Sequence, residues 1–153
     1  MRVEEIMVPE IATVNDFDLL ENVVSLLFRR NLSEVPVVDL EENIVGYFSI
    51  DSFLNFTLER IRKESFEETE VISLLEKYVG ENGSREISDF MEEKFEYLEV
   101  DDEVIDVLDV LTVGKSKTIP VLKGKKVVGK VSTPIFLKFL MDKNTSKEVK
   151  GNE

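Results

Sequence analysis

Carboxylates dominate the reactive groups of this sequence. It has 32 aspartates and glutamates against 19 lysines and arginines, and no cysteine or histidine at all. Thiolate nucleophiles, imidazole bases, disulfides and zinc–thiolate sites are therefore excluded together. Two acidic clusters, Asp39-Leu40-Glu41-Glu42 and Asp101-Asp102-Glu103, have the residue types to bind Mg²⁺ or to act as an acid–base pair. Each falls in a predicted turn or at a predicted helix start, where an acid serves the backbone in any case. No nucleophile motif accompanies them, so catalysis is not expected.

The elements that must position any site come in two copies. Ile6-Met7 returns as Phe90-Met91, and Val35-Pro36-Val37-Val38 as Ile119-Pro120-Val121-Leu122, both 84 positions further on. Ile44-Val45-Gly46-Tyr47-Phe48-Ser49 returns as Val127-Val128-Gly129-Lys130-Val131-Ser132 at a spacing of 83, so one residue is lost in the second copy's turn. Two halves with the same order of elements predict a pseudo-two-fold unit with its binding site between the halves.

Each half reads as a short strand, a helix, two strands and a closing helix. In the first, Ile11-Ala12-Thr13-Val14 is a short strand, and Asp16 or Asp18 can cap the helix that follows. Leu19, Leu20, Val23, Val24, Leu27 and Phe28 recur at helical spacing, and Asn31 suits the helix end. Strands are predicted over 35–38 and 44–50, then a helix with Phe53, Leu54, Phe56, Leu58 and Ile61 on its apolar side. In the second half, 95–100 is the short strand. Val104, Ile105, Val107, Leu108 and Leu111 give the helix its buried side, and a left-handed Gly114 ends it. Strands over 118–122 and 127–131 flank a tight turn with Gly124 at its bend, and Pro134 marks the start of the last helix. Pro36 and Pro120 are expected at a strand edge or bulge, Gly46 and Gly129 where two backbones approach closely, and Met7 and Met91 in the core. Between the copies, Val71, Leu74, Leu75, Tyr78 and Val79 mark an amphipathic helix that Gly80 should stop, and its apolar side needs a partner surface.

The net charge of −13 repels nucleic-acid phosphate, and the only basic clusters are short, at Lys115-Ser116-Lys117 and Lys123-Gly124-Lys125-Lys126. No nucleic-acid partner is expected. No apolar run approaches the roughly 20 residues of a membrane helix, and the N-terminus lacks the basic segment and apolar core of a signal peptide. The expectation is a cytoplasmic protein with no membrane partner.

The duplicated string resembles a tandem pair of CBS (cystathionine-β-synthase-type) domains, a Bateman module. The resemblance rests on the Ile/Phe-Met pair, the apolar-Pro-Val strand, and Gly-apolar-apolar-Ser leading into a helix, twice and in order. It implies an α/β (α+β) fold of two CBS repeats, 1–60 and 86–143, packed sheet against sheet about a pseudo-two-fold axis. A helical insertion at 61–85 would join them, and 144–153 would be a polar, frayed tail. It also implies a non-catalytic sensor, commonly a homodimer, whose regulatory ligand is adenosine-containing: AMP, ADP, ATP or S-adenosylmethionine.

The resemblance places phosphate contacts at Ser49 and Ser132, where a hydroxyl and helix N–H groups favour an anion; helix capping is the competing role of the same serines. Three residues on, ligand-binding members of the family place an Asp that accepts both ribose hydroxyls. This sequence has Ser52 and Ile135 there, with Asp51 one place early. One implied cleft joins Ser49, Asp51 and Ser52 to Phe95, Lys117 and Thr118; the other joins Ser132 and Thr133 to Ile11, Thr13 and Ser33. Two functions follow as expectations. One is a ligand sensor that signals through a separate, unidentified effector protein. The other is a degenerate pair that serves as a dimerisation or protein-interaction module without a nucleotide.

Overall fold

The computed structural model describes residues 1–64 and 67–151, the side chains of 146–151 excepted. Among the described residues it is a mixed α+β structure with two three-stranded sheets and five α-helices. The chain divides into two compact units. A continuous unit comprises Ala12–Phe95, and a split unit comprises Met1–Ile11 with Glu96–Glu153.

In the continuous unit, β1 (Val14–Asn15) runs parallel to β2 (Glu34–Val38), which pairs antiparallel with β3 (Ile44–Ser49). Helix α1 (Leu20–Arg30) makes the crossover that parallel strands require. Helices α2 (Ile50–Arg62) and α3 (Glu68–Asn82) follow. The split unit repeats the plan with β4 (Leu98–Glu99), α4 (Val104–Val113), β5 (Thr118–Lys123), β6 (Lys126–Ser132) and α5 (Thr133–Gly151). Among the described residues no helix is long and apolar enough to cross a membrane.

Each unit takes its lead-in turn from the other repeat. The 3₁₀ turn Ile87–Asp89 opens the second repeat, yet Ile87 is fully buried among Val14, Leu20, Val23, Leu27, Val35, Val37 and Phe48. The turn Val3–Glu5 opens the first repeat, yet Val3 and Ile6 sit with Leu98, Val107, Ile119, Val121, Val131 and Phe136. The same backbone bonds hold both exchanges. Ile87 N donates to Asp18 O (2.7 Å) and Ser88 N to Asp16 O (3.2 Å), as Val3 N donates to Asp102 O (2.9 Å) and Glu4 N to Val100 O (3.1 Å).

Local chemistry explains most elements and corrects several expectations. Only two residues of each short strand pair, Val14–Asn15 and Leu98–Glu99, so the strands are shorter than 11–14 and 95–100. Neither Asp16 nor Asp18 caps α1; the cap position is Leu19. Asp18 Oδ2 instead accepts from Asn15 N (2.9 Å), tightening the turn before the helix, and Asp102 does the same for Glu99 N (2.8 Å). The first amides of α1 go to backbone carbonyls, Leu20 N to Arg85 O and Glu21 N to Gly83 O, both 2.9 Å. Asn31 ends α1 in the left-handed region (φ 54°), as its side chain tolerates. Gly114 ends α4 in an extended conformation, not the left-handed one. Glycine is needed there because a Cβ would collide with the Glu96 carboxylate and the Val110 carbonyl. Glu96 Oε1 in turn accepts from Lys115 N (2.9 Å).

Gly80 does not stop the inserted helix, which continues to Asn82. Packing overrides the roughly 1 kcal/mol that an internal glycine costs. The partner surface is α2: Arg60 lies 5.7 Å from the centre of the Tyr78 ring, and Ile61 is buried. The sequence 144–150 contains neither Pro nor Gly, and α5 runs on to Gly151; the rest of the tail expected to fray, 152–153, lies outside the described residues.

Pro36 and Pro120 lie on the middle strand of each sheet, not at an edge, with a register shift one residue further on. Their missing N–H groups leave no ladder bond unmade. Tyr47, opposite Pro36, spends its own N–H and C=O on Glu92, as Lys130 opposite Pro120 spends its pair on Val8. Several apolar side chains expected to face the core do not. Phe28 is 84% exposed, and Val24, Ile105, Leu108, Leu54 and Phe56 are also exposed. One helix face reaches the unit's core, and a second apolar stripe beside it has no partner within the unit.

Candidate functional site

A cavity of about 240 Å³ lies in the continuous unit, between the start of α2 and the lead-in turn of the second repeat. The first repeat contributes Ser49, Ser52, Phe53 and Phe56; the second contributes Asp89, Phe90, Met91 and Glu92. Phe53 and Phe90 meet edge to face at 5.3 Å and 87°, a favoured aromatic arrangement. The lead-in strand is pinned across β3 by paired bonds, Tyr47 N to Glu92 O (2.9 Å) and Glu92 N to Tyr47 O (2.8 Å). Gly46 permits this approach, because a Cβ there would collide with the Met91 side chain and lie 3.1 Å from Glu92 O.

The split unit has a cavity at the equivalent place, lined by Ile6, Val8, Pro134, Ile135, Lys138, Phe139 and Asp142. It lacks the two hydroxyls and the two lead-in carboxylates. Its one charged pair, Lys138 with Asp142, is closed on itself. Of the closing-helix phenylalanines, Phe53 and Phe56 line the first cavity and Phe139 the second.

Both serines of the duplicated string cap helices. Ser49 Oγ accepts from Ser52 N and Ser132 Oγ from Ile135 N, each at 3.3 Å. A capping hydroxyl still has its own proton to donate. The helix amides offer less than expected, since Ile50 N already donates to Ser33 O (2.9 Å) and Ser52 N to Ser49.

The remaining candidate residues fall as follows. Asp51 is exposed in the first turn of α2 and does not line the cavity. Phe95 belongs to the continuous unit, its ring stacked 6.3 Å from that of Tyr47. Ser33 sits beside Ser49 and Ile50 through its carbonyl, and Thr13 is exposed in the same unit. Lys117, Thr118, Ser132, Thr133 and Ile11 all belong to the split unit, where Thr118 faces Ser132 across the β5–β6 ladder. The sequence reading missed Asp89, Phe90 and Met91 as cavity residues; the repeat of Ile6-Met7 as Phe90-Met91 was the available signal.

The acidic clusters serve turns. Asp39 Oδ1 accepts from both Glu41 N and Asn43 N at 2.9 Å, in a turn where Glu42 has φ 65°. Glu103 N donates to Asp106 Oδ2 at 2.9 Å. Among the described residues no three His, Cys, Asp or Glu side chains converge to hold a metal.

Two small sheets, each closed by a helix and completed by the other repeat's lead-in turn, make a duplicated fold of the CBS type. Residues 3–59 match the family model of the CBS domain, and the chain as a whole has the fold of a tandem CBS pair, a Bateman module. CBSX2, solved in complex with AMP, is 17% identical with a TM-score of 0.68, the match covering 94% of this chain and 98% of that one. The CBS domain of a CBS-domain-containing membrane protein from Sphaerobacter thermophilus is 22% identical with a TM-score of 0.62, covering 91% and 87%. Hypoxic Response Protein I, solved with two coordinated zinc ions, is 13% identical with a TM-score of 0.66, covering 90% and 98%. At these identities the likeness establishes the fold alone. No curated protein matches the chain by sequence.

Proposed function

We propose that the chain is a non-catalytic regulatory module that binds an adenosine-containing ligand, of the AMP, ADP, ATP or S-adenosylmethionine class, and signals through a separate effector protein. The observation that carries this reading is the cavity of the continuous unit, where the start of α2 meets the lead-in turn of the other repeat. Its aromatic rings and Met91 suit a purine, and its hydroxyls and carboxylates suit a ribose. Its volume of about 240 Å³ is below the roughly 300–1,000 Å³ of drug-sized pockets, which favours a ligand of nucleoside size over a dinucleotide. The shared fold with a protein solved in complex with AMP supports the same class. A ligand there touches α2 and the lead-in turn at once, so binding favours the state in which that turn is packed against the helix. That population shift is the signal.

The test is a thermal-shift screen of AMP, ADP, ATP, NAD and S-adenosylmethionine, with and without Mg²⁺. A ligand at about 100 times its dissociation constant adds roughly 2.7 kcal/mol, a rise of a few degrees. Ser49→Ala should reduce the rise, and calorimetry should give one ligand per chain, because the cavity lined by Ile135 and Val8 has no hydroxyl and its one carboxylate, Asp142, is paired with Lys138. If no member of the panel raises the melting temperature, the sensor reading fails and the protein-interaction module takes its place.

A second copy of the chain is the expected partner. The exposed Phe28 of α1 and the exposed Ile105 and Val113 of α4 support this, since isolated surface apolar residues are ordinary but stripes of them are not. Phe28→Glu should move the chain from dimer to monomer in sedimentation velocity; an unchanged distribution would remove α1 from the interface.

A further inference from the structure

We propose that Asp89 is the diol-binding carboxylate of the continuous unit's cavity, supplied by the lead-in turn in place of the acid that α2 lacks at Ser52, and that Arg85 positions it. The proposal rests on the adenosine reading above. A vicinal diol offers two O–H donors and is best met by one fixed carboxylate. Ser52 cannot serve in that way, having a single hydroxyl on the helix.

The cavity holds two carboxylates, Asp89 and Glu92. Only one of them is held in place. Arg85 Nε and Nη2 both reach Asp89 Oδ2, at 3.2 and 3.1 Å. Arg85 Nη1 donates to Asn82 Oδ1 (3.0 Å), and its guanidinium lies 5.2 Å from the centre of the Phe90 ring. Asn82 is itself buried, its Nδ2 donating to Tyr78 O at 2.7 Å. A continuous chain of contacts thus runs from the end of α3 to Asp89. Glu92 is fixed by its backbone but has no ion pair among the described residues.

The fork of Arg85 falls entirely on Oδ2, so Oδ1 keeps its lone pairs for incoming donors. The pair is also too exposed to be explained by stability, with side chains 53% and 46% accessible; exposed ion pairs of this kind contribute little. Orientation of the carboxylate is the role that remains. In the split unit the counterparts of Arg85 and Asp89 are Met1 and Glu5, and Glu5 Oε2 accepts from Arg2 N (2.7 Å), so no second diol site is expected.

The experiment is calorimetric titration of the full chain with AMP and with 2′-deoxy-AMP. The wild type should prefer AMP by about 10- to 100-fold, the range for a hydrogen bond to a charged group. Asp89→Asn should erase that preference by weakening AMP more than 2′-deoxy-AMP, which offers the carboxylate one hydroxyl fewer, and should leave the ligand-free melting temperature unchanged. Arg85→Ala should weaken the preference, and Glu92→Gln should preserve it. Equal losses for both ligands in Asp89→Asn, a preference that survives in Asp89→Asn, or one erased by Glu92→Gln would overturn the assignment alone. A wild type that binds neither nucleotide would overturn the adenosine reading and this proposal with it.

Discussion

Residues 1–85 and 86–153, produced as separate chains, should each lose cooperative folding and regain it on mixing. The cut passes between the repeats, yet it removes a core segment from both units. The continuous unit loses Ile87, which is fully buried, with Phe90 and Met91 packed on the same cluster. The split unit loses Val3 and Ile6, with Met7 beside them. Fully burying one such side chain stabilises by about 1.5–3 kcal/mol, so three together, some of them only partly buried, amount to at most roughly 5–9 kcal/mol. That is comparable to the whole stability of an ordinary domain, about 5–15 kcal/mol. The backbone bonds from Ile87 N to Asp18 O and from Ser88 N to Asp16 O go as well. A chain of residues 12–95, by contrast, keeps its cluster complete and should unfold in one transition. Far-ultraviolet circular dichroism during heating reads all three. A cooperative melt from 1–85 alone would show that the lead-in turn is dispensable.

This exchange was the part of the fold that the sequence concealed. The repeat itself was plain from the matched strings, and with it the order of strands and helices in each half. What a repeat cannot say is which lead-in joins which body. Ile6-Met7 and Phe90-Met91 are both apolar pairs of similar size, and either could fill either slot as far as local pattern goes. The choice is made by the connections and by contacts distant in sequence, which periodicity does not record. Helix ends were hidden for a related reason. Asp18 has the right chemistry for a cap, but Gly83 and Arg85 bring carbonyls to the first amides of α1, leaving Asp18 to close the preceding turn.

The site divides in the same way. Ser49 and Ser132 were legible because each precedes a helix within one repeat, and both do cap one. Asp89 was not, since it lies far along the chain from Ser52 and reaches the cavity only through the exchange. Nor was Arg85, which falls in a turn after the inserted helix and acts through Asn82, Asp89 and Phe90. A motif read within one repeat finds the helix half of this cavity and misses the half that the other repeat supplies.

Replacing the two matched glycines by alanine should therefore separate stability from binding. Gly129 and Gly46 occupy the same place in their repeats, and each lets a lead-in strand cross its sheet. At Gly129 a Cβ would stand 2.7 Å from the Val8 carbonyl oxygen. Backbone must move to relieve that contact, and the bonds it endangers are Val8 N to Lys130 O (3.0 Å) and Lys130 N to Val8 O (2.9 Å). At Gly46 the worst collision is with the Met91 side chain, whose thioether can rotate away, and the Glu92 carbonyl is further off at 3.1 Å. Overpacking costs about 1–3 kcal/mol; Gly129→Ala belongs at the upper end of that range and Gly46→Ala at the lower. Binding should show the reverse order. Met91 lines the cavity proposed for the nucleotide, so moving it should weaken AMP in Gly46→Ala, whereas Gly129→Ala disturbs only the split unit and should leave AMP affinity as it was. Urea unfolding and calorimetry on the two variants measure both quantities. Equal stability losses would mean that the Val8 carbonyl yields as easily as a methionine side chain, and unchanged AMP binding in Gly46→Ala would place the ligand away from Met91.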